Sequence, residues 1–164
     1  MRHILMLSRV AGGLAILALV VIVTAEVITR NLFGFSLLIA DEYAGYLGLA
    51  ITFLGIPFAL DEGALLRVDA VIEKLRGRPR AALEVLFGLL SSAVAAVITW
   101  QVWRLVSRSY ERGTFAPTPA ETPLWIPQSV MLIGGALLTL VAVAGTLRSL
   151  RALARGTSPE ARRP

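Results

Sequence analysis

Few side chains in this chain are equipped for chemistry, and most of those sit at the edges of apolar runs. Glu26 and Arg30 are four residues apart, so on a helix they share a face and can pair. Asp41 and Glu42 are adjacent and open an apolar run, a position that caps a helix and complements its dipole. Two neighbouring carboxylates could also begin a cation site, but no third ligand accompanies them. Glu84 opens another run as a first-turn acid. His3 is the only histidine and there is no cysteine. Disulfides and thiolate chemistry are thereby excluded, and a haem held between two histidines lacks its ligand pair. No nucleophile, metal cluster or acid/base set is spaced for catalysis. The expectation is a chain that is not an enzyme and holds no cofactor.

The elements that carry these residues are apolar. Tyr43–Leu60, Val85–Trp103 and Leu124–Leu147 contain no charged residue, and Val10–Ala25 continues to Arg30 with only Glu26 interrupting. Roughly 20 residues rising 1.5 Å each span a hydrocarbon core of about 30 Å. In lipid the backbone must satisfy its own hydrogen bonds, and the alternation of a barrel strand is absent, so these runs are helices. The predicted fold is all-α and membrane-integral, with spans at about 10–30, 43–60, 84–103 and 124–147. A hydrophobic content of 56% and a mean hydropathy of +0.73 leave no room for a soluble catalytic domain. The membrane domain is expected over residues 1–155, and 156–164 reads as a disordered tail.

The net charge of +5 points to membrane topology in preference to nucleic acid. Arg2, Arg9, Arg67, Lys74, Arg76, Arg78, Arg80, Arg148, Arg151, Arg155, Arg162 and Arg163 fall on one side; Arg30, Arg104, Arg108 and Arg112 fall on the other. Twelve against four of the sixteen basic residues places both termini in the cytoplasm. The rival is a cleaved signal peptide over residues 1–25, with small Val23 and Ala25 at its end. The apolar character resumes at Val27 and Ile28, which favours a first span.

The two long connections differ. Between spans two and three, Leu65, Val68, Val71, Ile72 and Leu75 follow helical spacing, with Arg67, Asp69, Glu73, Lys74 and Arg76 around them. That is the pattern of a short amphipathic helix over 61–76, lying on the membrane surface or against a partner and ended by Gly77 and Pro79; the rival is a solvated turn with incidental apolar residues. Arg104–Pro123 includes Ala116-Pro-Thr-Pro-Ala-Glu-Thr-Pro123, which favours extended backbone, as an ordered excursion or a flexible linker.

Within the spans the signals concern packing. Ala44, Gly48 and Thr52, and again Gly88, Ser92 and Ala96, recur every fourth residue, a spacing that lets helices approach closely. Pro57 leaves the Phe53 carbonyl without its usual donor and is expected to kink span two. Trp100, Trp103, Tyr110 and Trp125 form an aromatic belt at one interface.

The order of short motifs resembles a known family. Glu26-Val-Ile-Thr-Arg-Asn-Leu-Phe-Gly34, Asp41-Glu-Tyr43, Phe53-Leu-Gly55, Glu62-Gly63, Arg67-Val-Asp69 and Trp125-Ile-Pro127 with Gly134 and Gly135 resemble the DctQ-like family. That family is the small membrane subunit of tripartite ATP-independent periplasmic (TRAP) transporters. The resemblance covers roughly residues 20–145. It departs at Glu62, where an Arg is common, at Leu65, where a His is frequent, and at Gly34-Phe35, where Asn is often seen.

The resemblance implies a scaffold subunit of the bacterial inner membrane. Its implied partners are a large multi-span permease subunit that carries solute and sodium, and a soluble periplasmic receptor. The implied solutes are organic acids such as C4-dicarboxylates. Glu26, Arg30, Asp41, Glu42, Gly55, Arg67 and Asp69 are the candidates for partner contact. The alternative is an accessory four-span subunit of a respiratory or secretion complex, which would share the packing signals but not the motif order.

Overall fold

The computed structural model describes residues 2–36, 38–62 and 78–154. They form four helices: α1, Arg2–Phe33; α2, Ala40–Asp61; α3, Arg78–Glu111; and α4, Trp125–Ala154. All four are long and apolar enough to cross a membrane. Among the described residues the one β feature is an isolated bridge between Phe115 and Pro123, so the protein is all-α and membrane-integral. The expected amphipathic helix, with Arg67 and Asp69, and the C-terminal tail lie outside the described residues. Asp61 and Glu62 are the exception, as the last residue and C-cap of α2.

The helices outrun the apolar runs. At 34 residues α3 is about 51 Å long, well beyond a hydrocarbon core of about 30 Å. Residues 104–111, read above as connection, are therefore helix. Extending a formed helix needs only that nothing breaks it, and the first breaker after Trp103 is Gly113. There the chain turns in a Schellman cap. Gly113 takes φ +57°, its N–H donates to the Tyr110 carbonyl at 3.2 Å, and the Thr114 N–H donates to Ser109 at 3.1 Å. At its other end α3 starts at Arg78, which puts Pro79 in the first turn, where a missing N–H breaks no hydrogen bond.

The helices form an open row. α1 packs on α2, α2 on α4, and α4 on α3, while the remaining pairs barely meet. The α3–α4 seam follows a heptad pattern. On α3 it runs through Val85, Gly88, Ser92, Ala95, Thr99, Val102 and Ser109, all buried or half-buried. On α4 it runs through Gly135, Thr139, Ala142 and Thr146. Alternating steps of three and four keep a seam on one helix face. Steps of four drift off it, so the expected Ala96 is exposed and Ala95 is buried in its place.

Hydroxyl pairs hold this seam together. Ser92 and Thr146 lie 3.0 Å apart, as do Thr99 and Thr139. Each hydroxyl is also in reach of the carbonyl four residues earlier, at 2.8–3.0 Å. A hydroxyl has one proton, so each pair shares two protons among three contacts. Glycine makes the approach possible, since a Cβ at Gly88 would lie 2.8 Å from Thr146 Oγ1 and one at Gly135 would lie 3.0 Å from Thr99 Oγ1.

Candidate partner-contact sites

Pro57 organises the centre of the row. It is fully buried, and α2 runs unbroken through it. Having no N–H, it cannot donate to the Phe53 carbonyl. The helix opposite meets that carbonyl with bare backbone, because a Cβ on Gly134 of α4 would lie 2.3 Å from Phe53 O. One residue further along α2, the Leu54 carbonyl accepts a hydrogen bond from Ser8 Oγ of α1 at 2.6 Å. α1 and α4 thus both attach to the stretch of α2 that proline leaves short of donors. Arg9, next to Ser8, reinforces the α1 contact by lying 5.1 Å from the Phe58 ring centre.

Glu26 and Arg30 pair as their spacing requires, at 3.3 Å, with Glu26 well covered and Arg30 largely exposed. The same carboxylate oxygen also accepts a hydrogen bond from Ser36 Oγ at 2.6 Å. Ser36 in turn accepts from the Leu38 N–H at 3.3 Å. Glu26 therefore ties down the turn between α1 and α2, where Gly34 and Leu38 both adopt positive φ. This serine partner was legible only as a polar residue in a turn, since its ten-residue distance from Glu26 follows no helical spacing.

Asp41 and Glu42 separate in role. Both lie in the first turn of α2, where negative charge suits the helix dipole, but the N-cap is Ile39 and no side chain caps the helix. Asp41 is exposed. Glu42 reaches sideways: one carboxylate oxygen accepts from Tyr46 OH at 2.8 Å and the other accepts from Thr118 Oγ1. Tyr46 was readable at i+4, whereas Thr118 is 76 residues away and only the fold supplies it.

Thr118 belongs to an ordered hairpin. The Leu124 N–H donates to Thr114 at 3.0 Å, the Ala116 N–H donates to Thr122 at 2.9 Å, and the Glu121 N–H closes a turn onto Thr118. Tyr110 meets Trp125 edge-on, with ring centres 5.7 Å apart, beside the hairpin's base. The Pro-rich connection is thus a built structure, fastened to α2 through Glu42.

Among the described residues no other element comes within 4 Å of where a Cβ on Gly55 would stand. The same is true of Gly45 and Gly48, which share that side of α2 by the spacing 45, 48, 55. Of the expected small-residue stripe of span two, Gly48 therefore meets no other helix among the described residues, while Gly88 and Ser92 of the span-three stripe both meet Thr146. At the opposite ends of the helices, Asp61 of α2 pairs with Arg148 of α4 at 3.3 Å, and Glu84 pairs with Arg80 at 3.3 Å. Among the described residues no three acidic or histidine side chains converge as a metal site would.

Fold and site together define a four-span membrane subunit whose charged groups brace its own turns and helix ends. The chain belongs to the DctQ component family of the tripartite ATP-independent periplasmic transporters, whose family model matches residues 19–152. It is also similar to the ectoine TRAP transporter small permease protein TeaB of Halomonas elongata. The two are 27% identical over 133 residues, covering 78% of this chain and 68% of the relative. The protein is accordingly a TRAP small permease subunit: a transporter component, not an enzyme, and a multi-pass protein of the inner membrane. Membership of this family sets aside the respiratory and secretion alternatives.

Proposed function

We propose that this subunit is a scaffold. It holds a large multi-span permease subunit that carries an organic acid with sodium, and the pair receives its solute from a soluble periplasmic receptor. The observation that carries the reading is the open row itself. Four apolar helices pack mainly in the order α1–α2–α4–α3, and the middle of each span lacks a charged side chain. A secondary transport site is built near the midplane from broken helices and repeats, and among the described residues each of the four helices runs unbroken. Glu26, Arg30, Asp41, Glu42 and Gly55 are its candidate partner contacts, together with Arg67 and Asp69 from outside the described residues. The glycine-lined side of α2 leaves Gly55 open to a neighbouring helix.

Both termini face the cytoplasm in this reading, by the twelve-to-four asymmetry of basic residues. Reporter fusions ending near residues 36 and 115 should read periplasmic, and those near 75 and 158 cytoplasmic. A periplasmic reading at 75 overturns the orientation.

The deciding experiment is affinity purification of the tagged chain from its native membrane, followed by uptake assays across organic acids and ectoine. Co-purification of a much larger multi-span protein, and loss of uptake when the chain is deleted, are expected. Glu26→Gln, Arg30→Gln and Glu42→Gln should lower complex yield while leaving the order of preferred solutes unchanged. A change in which solute is carried, at constant complex abundance, would place this chain in the pathway and end the scaffold reading.

A further inference from the structure

The uncharged run Val85–Trp103 fills about 28 Å of α3, nearly the whole hydrocarbon thickness. Arg104 therefore stands at the membrane boundary, with its guanidinium 5.2 Å from the ring centre of Trp100. The helix does not stop there. Arg108 and Arg112 follow at successive four-residue steps, and the Arg112 N–H still donates to the Arg108 carbonyl at 3.0 Å, so all three side chains leave one side of a continuous helix. That side is turned away from Val102 and Ser109, which are buried in the α4 seam.

All three arginines are exposed, and among the described residues none forms an ion pair. The acids at this end of the row stand elsewhere or are occupied. Glu26 holds Arg30 and Ser36, and Glu42 holds Thr118 and Tyr46. Asp41 and Glu121 belong to α2 and the hairpin, and Glu111 flanks the stripe without pairing to it.

We propose that Arg104, Arg108 and Arg112 form a docking strip for an acidic surface of the soluble receptor. The proposal rests on the orientation and receptor reading given above. Height above the membrane selects a protein over lipid as the occupant. Arg108 and Arg112 stand about 6 and 12 Å beyond Arg104 along the helix. The headgroup layer of one leaflet is only about 5–7 Å deep, so the backbone at Arg112 stands above it and its side chain is within reach of a docking protein. Arginine suits the task because its guanidinium is always charged, and an exposed row of positive charge steers an acidic partner toward it.

The test measures binding of the purified receptor to the membrane complex of this chain and its large partner, held in zwitterionic nanodiscs. Arg108→Glu with Arg112→Glu should slow association about tenfold at low salt, and Arg108→Lys with Arg112→Lys should restore most of the rate. Wild-type association should itself fall steeply between about 50 and 300 mM salt. Equal rates for the wild type and the glutamate variant overturn the proposal, and so does a wild-type rate that is flat with salt. A defect that appears only in nanodiscs containing phosphatidylglycerol assigns the strip to lipid and overturns it as well. Complete failure of the wild-type complex to bind receptor at any salt is a different result, which removes the receptor reading itself.

Discussion

Glu42 shows how a residue with two plausible local roles acquires a third from the fold. Its place in the first turn of α2 suits the dipole, yet its oxygens are taken by Tyr46 and by Thr118 of the hairpin. The carboxylate is thus the clamp between α2 and the α3–α4 connection. Thr118→Val removes one donor and leaves the helix dipole unchanged. Trypsin cleavage after Arg112 in the folded protein should then run several-fold faster than in the wild type, with cleavage elsewhere unaltered. An unchanged rate at Arg112 would mean that the hairpin's backbone hydrogen bonds alone hold it. Glu26→Ala should free the α1–α2 turn in the same manner, read as faster labelling of a cysteine placed at the exposed neighbour Phe35.

The helix interfaces depend on glycine at three close approaches and on hydroxyls between them. Gly134→Ala sets a methyl group 2.3 Å from the Phe53 carbonyl, backbone that cannot swing aside. Overpacking of this kind costs about 1–3 kcal/mol, so thermal unfolding in detergent should begin several degrees lower. Gly55→Ala is the contrasting case. Its methyl group meets no other element among the described residues, and the isolated subunit should unfold as the wild type does. If the open side of α2 holds the large subunit, the same change should lower co-purification. Ser92→Ala with Thr146→Val removes one hydroxyl pair, for which interhelical hydrogen bonds in lipid suggest a loss of about 0.6 kcal/mol. A loss much above that would mean the seam relies on these hydroxyls more than on its close packing.

At the scale of the whole molecule, the open row explains why so much apolar surface remains uncovered. A closed bundle would bury a face of every helix, whereas here α1 and α3 each have one main neighbour. Lipid covers part of the remainder, and in the scaffold proposed above the rest is the surface offered to the large subunit. Isolated in detergent, the subunit should unfold at a lower temperature than it does within the complex, because the partner binds only the folded form. Equal unfolding temperatures in the two states would argue against an extensive shared interface.

Sequence alone determined the four spans, their helical nature and the class of protein. Those follow from hydropathy and from the rule that backbone in lipid must bond to itself, both of which act on neighbouring residues. It also determined the Glu26–Arg30 pair and the consequence of Pro57 for the Phe53 carbonyl, since each is a matter of helical spacing. The motif order pointed to the family in the same local way. Tertiary structure decided which small residues are used: Gly88, Gly134 and Gly135 at close approaches, but not Gly48 or Gly55. Spacing shows that a face is smooth and not which helix will lie against it. Tertiary structure likewise gave Glu42 its threonine and carried α3 eight residues past its apolar run. Contacts across 76 residues depend on where separate helices come to rest, and no local pattern along the chain encodes that.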